Sequence, residues 1–291
     1  MEMQEIACNN KETSCGCKKL SHLTQHHASN KALAALHYNW KVARHFFTRY
    51  RPMLPKEQRL ADDNIYLQED RFHKPKEIHK LIAQRIFALH GAEGALDIID
   101  VGCATGELLF HLAQVLGKSH KFCGADVSSK MLTLAKTMLP AAEFIELDIS
   151  AVTDKLGQIY DVVICSGVLG MFDDLTIPLQ KLLKLCKPGG VVMITADINE
   201  ANIDLITRYR NGGGVGTWQS GWNIFSRRTI ETIVSGVAKG CRINFIDFEM
   251  PFDIPMNIDP MRNWTVSIAG KRLTTNGAGL LLRENLIEIF T

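Results

Sequence analysis

Short apolar runs at 98–101, 121–126, 143–147, 160–165 and 191–195 alternate with stretches of helical period. The helical stretches carry Leu108, Leu109, Leu112, Val115 and Leu116, then Met131, Leu132, Leu134, Ala135 and Met138, then the segment 175–187. Strand and helix in strict alternation predict an α/β fold, a doubly wound parallel sheet with helices on both faces. Upstream, Leu33, Leu36, Trp40, Ala43, Phe47 and Tyr50 fall on one helical face, which Pro52 and Pro55 interrupt. A second helix is expected from Pro75 to Gly91, with Ile78, Leu81, Ile82, Ile86 and Leu89 inward. Downstream, Ile203, Leu205, Ile206 and Tyr209 suggest a short helix, followed by Asn211-Gly212-Gly213-Gly214-Val215-Gly216-Thr217-Trp218, a glycine-rich hinge or lid that also brings Trp222. A helix beginning at Ser226, a strand over 241–248, a hairpin over 264–275 and a closing strand over 285–290 complete the pattern. The domain plan is a polar tail at 1–31, a helical cap at 32–92 and an α/β domain at 93–291, with an insertion at 198–225 and a hairpin at 262–276.

The first apolar run opens into Asp100-Val101-Gly102-Cys103-Ala104-Thr105-Gly106 and then a helix, the layout of a nucleotide-binding turn. A dinucleotide fingerprint counted from Gly102 requires glycine where Ala104 and Glu107 stand, and no phosphate loop ending in Gly-Lys-Ser/Thr is present. A carboxylate at Asp100 repels a pyrophosphate and suits a ligand bearing an ammonium or sulfonium group. Asp126 ends the second run 24 residues after Gly102, where an acid can accept ribose hydroxyls; a helix N-cap is the alternative, for which Ser128 is better placed. Asp148 ends the third run.

The run Asp100-x-Gly102-Cys103-x-Thr105-Gly106 resembles motif I of class I S-adenosylmethionine-dependent methyltransferases, of small-molecule type, and the resemblance extends over about 75–250 plus the last strand. It implies a Rossmann-like, seven-stranded, mostly parallel sheet with an antiparallel last strand, an N-terminal helical cap and a C-terminal hairpin added. It implies S-adenosylmethionine as cofactor and S-adenosylhomocysteine as product. Asp100, Gly102, Cys103, Ala104 and Gly106 would cradle the methionine half, Asp126 the ribose, Val127 the adenine face and Asp148 the adenine amino group, with Ile149, Cys165 and Ser166 completing the set. Lys187-Pro188-Gly189-Gly190 resembles the family's turn before strand five. The sequence departs from many small-molecule members at Gly170 and Met171, where they carry histidine, and it lacks an Asn-Pro-Pro-Tyr type of motif.

Composition changes the picture little. With 46% hydrophobic and 22% charged residues, the chain reads as an ordinary globular protein. A net charge of +2 argues against a nucleic-acid surface, and no apolar run is long enough to span a membrane. The N-terminus lacks a secretory pattern, so a cytoplasmic protein with its eight cysteines as thiols is expected. Cys15-Gly16-Cys17 with His22, His26 and His27 matches no zinc spacing, and no metal is expected.

The acceptor expected from the flanking aromatic and apolar segments is a small molecule; methylation of a protein or RNA, and a non-catalytic module of the same fold, remain the alternatives. A general base is needed only for an acceptor protonated at working pH. His37, Tyr38, His73, Asp197 and Tyr209 are the polar candidates near the mouth. The hairpin bears on acceptor choice or on pairing of the chain into a homodimer.

Overall fold

The computed structural model describes residues 71–291 apart from 92–93, 118, 153–159, 211, 215–217 and 257–261. These residues belong to one of the two units into which the chain divides, Pro52–Thr291. The expected tail, the first cap helix and the candidates His37 and Tyr38 lie outside the described residues.

The elements run α1 (Glu77–His90), β1 (Asp97–Val101), α2 (Glu107–Leu116), β2 (Lys121–Asp126), α3 (Ser129–Met138), β3 (Glu143–Glu146), β4 (Tyr160–Ser166), α4 (Thr176–Leu185) and β5 (Cys186–Asn199). They continue with β6 (Arg208–Tyr209), β7 (Gln219–Ser220), β8 (Phe225–Ser226), α5 (Arg227–Val237), β9 (Arg242–Asp247), β10 (Trp264–Ile268), β11 (Lys271–Thr275), β12 (Leu281–Leu282) and β13 (Glu284–Phe290). The main sheet has the order β3-β2-β1-β4-β5-β13-β9, with the two-residue β8 pairing β5 as an eighth strand. Strands β1 to β5 pair in parallel, and β13 enters antiparallel between β5 and β9. This is the expected mixed sheet, and the C-terminal hairpin β10–β11 forms a separate small sheet with β12.

Both faces of the sheet are buried, as parallel strands with near-continuous apolar sequence require. Side chains alternate along each strand. On one face Ile98, Val162, Ile164 and Met193 pack with Ile82 and Ile86 of α1 and Leu108, Leu109 and Leu112 of α2. On the other, Ile99, Val101, Val163, Val192 and Ile194 pack with Leu179 and Leu182 of α4 and Ile230 and Val234 of α5. Asp100 therefore continues the Ile98 row, on the α1–α2 side. Ser128 and Ser226 cap α3 and α5, accepting from Met131 N and Thr229 N respectively.

Three local expectations are corrected. In α1 the inward face is Ile78, His79, Ile82, Ala83 and Ile86; Leu81 is half-buried and Leu89 is 36% exposed, because the sheet contacts a stripe rotated by one position. Lys187-Pro188-Gly189-Gly190 is looped out within β5: Tyr160 pairs Cys186 and Val162 then pairs Val191. Chain-terminal Thr291 fills that irregularity by pairing with Gly189 and Gly190. Around Leu205 an antiparallel bridge to Ile224 and the short β6–β7 pair stand where a helix was expected, since a chain returning to the sheet edge satisfies its backbone there.

α1 is also held by charge. Glu288 in β13 is fully buried and accepts from Arg85 at 2.7 and 3.1 Å and from Asn244 at 3.0 Å. The guanidinium is partly exposed, so the desolvation cost falls mainly on the carboxylate. Arg85→Ala is expected to lower unfolding free energy by about 3 kcal/mol in urea titration, because it leaves a buried carboxylate with a neutral partner only; Arg85→Ala with Glu288→Gln should recover part of that loss.

Candidate functional site

The site is built at the carboxyl ends of β1, β2 and β3. After Val101 the chain must turn at once into α2, and the turn uses Gly102, Ala104 and Gly106 at φ of 83°, 47° and 82°. Gly102 N and Cys103 N donate to Ala125 O at 2.7 and 3.0 Å, which fastens the turn to β2. A Cβ on Gly102 would lie 2.4 Å from Val168 Cγ2, so backbone there approaches the loop after β4 closely. A Cβ on Gly124 would meet Phe144 at 2.5 Å and Cys103 Sγ at 2.8 Å, so the floor of the turn is also filled only because a glycine is present. Gly106 precedes α2 without a side-chain cap, leaving the first amides of the helix directed at the turn.

Asp100 is 3% exposed and its Oδ1 has no hydrogen-bond partner. Burial, then the charge of Asp126, push its carboxyl up to about 7; Lys76 opposes the shift and Glu107 adds to it. Asp126 is held differently: Ala104 N donates to Oδ2 and Ser128 N to Oδ1, both at 2.9 Å, so its oxygens are fixed at the strand end. Asp148 Oδ1 accepts from Ser150 N at 2.8 Å and from Ser150 Oγ at 2.6 Å, an Asx turn that orients it. Val127 is half-buried beside Asp126, and Ile149 is buried. Cys103 and Cys165 are buried, and burial pushes both thiols up, which leaves them protonated packing groups.

Beyond β1, Ser166 Oγ and Thr195 Oγ1 share a hydrogen bond of 2.9 Å across β4 and β5, and Gly167 N donates to the same Thr195 oxygen at 3.0 Å. β5 runs on past Thr195, and antiparallel pairing sets Asp197 opposite Glu284 of β13. Burial pushes Asp197 up to about 6. Burial and then the Asp197 charge push Glu284 up to about 7, while Lys76 opposes. Of the other candidates, Tyr209 packs on Trp222 with ring centroids 5.2 Å apart, and His73 lies exposed in the turn before α1. Asn223 clasps these segments: its side chain accepts from Thr207 N at 2.8 Å and donates to Phe172 O at 2.8 Å and Asp173 Oδ1 at 3.0 Å. Among the described residues no group of His, Cys, Asp and Glu is arranged to hold a metal ion, and no helix is long and apolar enough to cross a membrane.

Thus Asp100 and Asp126 stand at the ends of the adjacent strands β1 and β2, Asp148 follows two residues after β3, and Asp197 stands two strands from β1 with a partner that sequence reading missed. Glu284 had one signal, an acid just ahead of the apolar closing strand, but its partner depends on antiparallel register. Thr195 was read only as strand. His79 was hidden beside the apolar stripe of α1.

Residues 92–215 match a family model described as a methyltransferase domain. That stretch is similar to methyltransferase domains. The matched residues contain the glycine turn, the acids at 100, 126 and 148, and Asp197. The chain is similar to demethylmenaquinone methyltransferase of Lactococcus lactis, 32% identical over 120 residues, covering 40% of this chain and 47% of the relative. It is similar to trans-aconitate 2-methyltransferase of Paracidovorax citrulli, 30% identical over 112 residues, covering 38% and 43%. The chain thus spans under half the length of these curated relatives. A solved S-adenosylmethionine-dependent methyltransferase from Aquifex aeolicus superposes at a TM-score of 0.46 and 12% identity, over 79% of this chain and 98% of that one.

Burial of Asp100 also bears on the stability of the fold. Its folded pKa lies above its unfolded value of 3.8, so the folded state binds the extra proton. The group costs nothing below pH about 4, where both states are protonated, and destabilises the fold progressively as pH rises from 4 through 7. Asp100→Asn is expected to match wild type in melting temperature near pH 3 and exceed it at pH 8; a gap that does not grow with pH would refute the burial argument.

Proposed function

We propose that the chain is an S-adenosylmethionine-dependent methyltransferase acting on a small-molecule acceptor. The observation that carries this reading is Asp100, a buried carboxylate with an unpartnered oxygen beneath a left-handed glycine turn. A fold keeps such a group where a ligand satisfies it. The cradle fits the donor: Asp100 would oppose its ammonium, the left-handed turn at Gly102, Ala104 and Gly106 would take its methionine half, and Asp126 has both oxygens fixed to receive ribose hydroxyls. Val127 packs on the adenine, Asp148 accepts from its amino group, and Cys103, Ala104, Gly106, Ile149, Cys165 and Ser166 shape the walls. When bound, S-adenosylmethionine supplies a methyl group already activated by its sulfonium for in-line displacement.

The chain's own residues then align the acceptor and exclude water. Asp197 and Glu284, carboxyls raised toward neutrality at the end of β5, are the groups suited to take a proton from an acceptor hydroxyl or ammonium. Support for a small acceptor comes from relatives named for demethylmenaquinone and trans-aconitate methylation. The small net charge fits a cytoplasmic protein working on a dissolved substrate, and among the described residues no helix is long and apolar enough to cross a membrane.

Calorimetry with S-adenosylhomocysteine tests the reading. The wild type is expected to bind, with affinity rising from pH 6 to 8 as Asp100 loses its proton, because the ligand ammonium favours the ionised carboxylate. Asp126→Ala should weaken binding about 10- to 100-fold, the value of hydrogen bonds to a charged acceptor. No heat and no shift in melting temperature with the wild type would sink the proposal.

A further inference from the structure

A polar row crosses the sheet one step beyond its apolar core. Within the core, Met193 of β5 and Leu286 of β13 lie on the face covered by α1 and α2, and Ile246 of β9 packs against them. Alternation along a strand returns to that face every second residue, which brings Asp197, Glu284 and Phe248 to the same side. The three are neighbours across the sheet. Asp197 is the antiparallel partner of Glu284, and Phe248 N continues the β9–β13 ladder by donating to Glu284 O at 2.9 Å.

Like charges directly opposite on one face oppose the pairing that holds them. Among the described residues neither carboxyl has an ion-pair or side-chain hydrogen-bond partner, and Lys76 acts on Glu284 only from beyond ion-pair distance. Nor does Glu284 face solid packing. It lines a cleft with about 250 Å³ of free space, partly open to solvent, between the end of the main sheet and the small C-terminal sheet. Phe248 and Met250 make one apolar wall, and Leu273 of β11 and Leu282 of β12 make the other. Arg272 also borders the cleft but is engaged elsewhere: its Nε donates to Asp253 at 2.8 Å, and its Nη1 lies 4.0 Å from Glu249. Glu284 is thus the uncompensated charge of an otherwise apolar cleft. Such a cleft selects a compact positive group on a short hydrocarbon body. An ammonium brings one charge and three donors, an alcohol brings one donor and no charge, and a carboxylate is repelled.

We propose that this cleft anchors the methyl acceptor, and that the acceptor is a small aliphatic amine whose ammonium lies between Asp197 and Glu284 with its hydrocarbon against Phe248, Met250, Leu273 and Leu282. The inference rests on the methyltransferase reading above and narrows its acceptor from hydroxyl or ammonium to ammonium. It also gives the C-terminal hairpin a role, since β11 and β12 supply one wall of the cleft.

The test is calorimetric titration of the full chain with n-butylamine, n-butanol and butyrate at neutral pH, where the amine is protonated. The wild type is expected to bind n-butylamine about 10-fold or more tighter than n-butanol and to give no heat with butyrate. Glu284→Gln should cut the preference for amine over alcohol to about threefold or less, and should itself raise the melting temperature because the opposed charge is gone. Leu273→Trp fills the cleft while both acids stay in place, and should abolish amine binding. Leu273→Ser removes apolar wall without adding bulk, should weaken the amine about threefold, and serves if tryptophan disturbs the small sheet. Equal binding of amine and alcohol to the wild type, or an unchanged preference in Glu284→Gln, overturns the subsite. S-adenosylhomocysteine titrated into the same samples separates the two readings: its binding without an amine preference overturns the subsite alone, and its failure to bind the wild type overturns both.

Discussion

The carboxylate of Asp100, buried at the top of an apolar strand, is the constraint to which the rest of the site responds. Its row is set by Ile98, two residues earlier, which must face α1 and α2 for the core to close. The alternation of a strand then leaves Asp100 on that same side, out of water. The turn above it cannot relieve the charge by widening, because Gly102 already lies against Val168. Charge and geometry are therefore both committed before any ligand arrives, which is the preorganisation an electrostatic site requires.

The two sides of the site differ in how the sheet makes them. On one side, β1 and β2 carry Asp100 and Asp126 near their ends, and Asp148 follows two residues after β3. Two of these are tied by backbone amides, at Asp126 and Asp148, and Asp100 keeps an oxygen unpaired. On the other side, β5 overruns its parallel neighbour and takes an antiparallel partner, and this reversal makes the Asp197–Glu284 pair. The segment after β5 is then fastened back to the loop after β4 by Asn223, so the two stretches flanking that end of the sheet are joined.

α1 connects stability with the site. Its later turns are fixed by Ile82, Ile86 and the Arg85–Glu288 pair, and its first turn carries the buried His79. Asp100 Oδ1 and His79 Nδ1 are both buried without partners. Local conflict with packing rules is the mark of a functional site, tolerated because the rest of α1 and the sheet are well packed.

The sequence by itself determined the alternation of strands and helices, the glycine turn, the three acids at strand ends, the serine caps and the closing strand. Each of these is local: a period of two or 3.6, a glycine at positive φ, or an acid next to an apolar run. Tertiary structure decided the rest. The helix expected near Leu205 yielded to a bridge with Ile224, because a returning chain offered its backbone a partner. The Lys-Pro-Gly-Gly stretch became a looped-out part of β5 whose glycines pair with Thr291. Glu284 became the neighbour of Asp197 through a register spanning 87 residues, and His79 became buried because the sheet meets α1 one position away from its most apolar stripe. None of these depends on neighbours in sequence. They depend on which surfaces remain to be covered once the strands have paired, and only the assembled sheet specifies that.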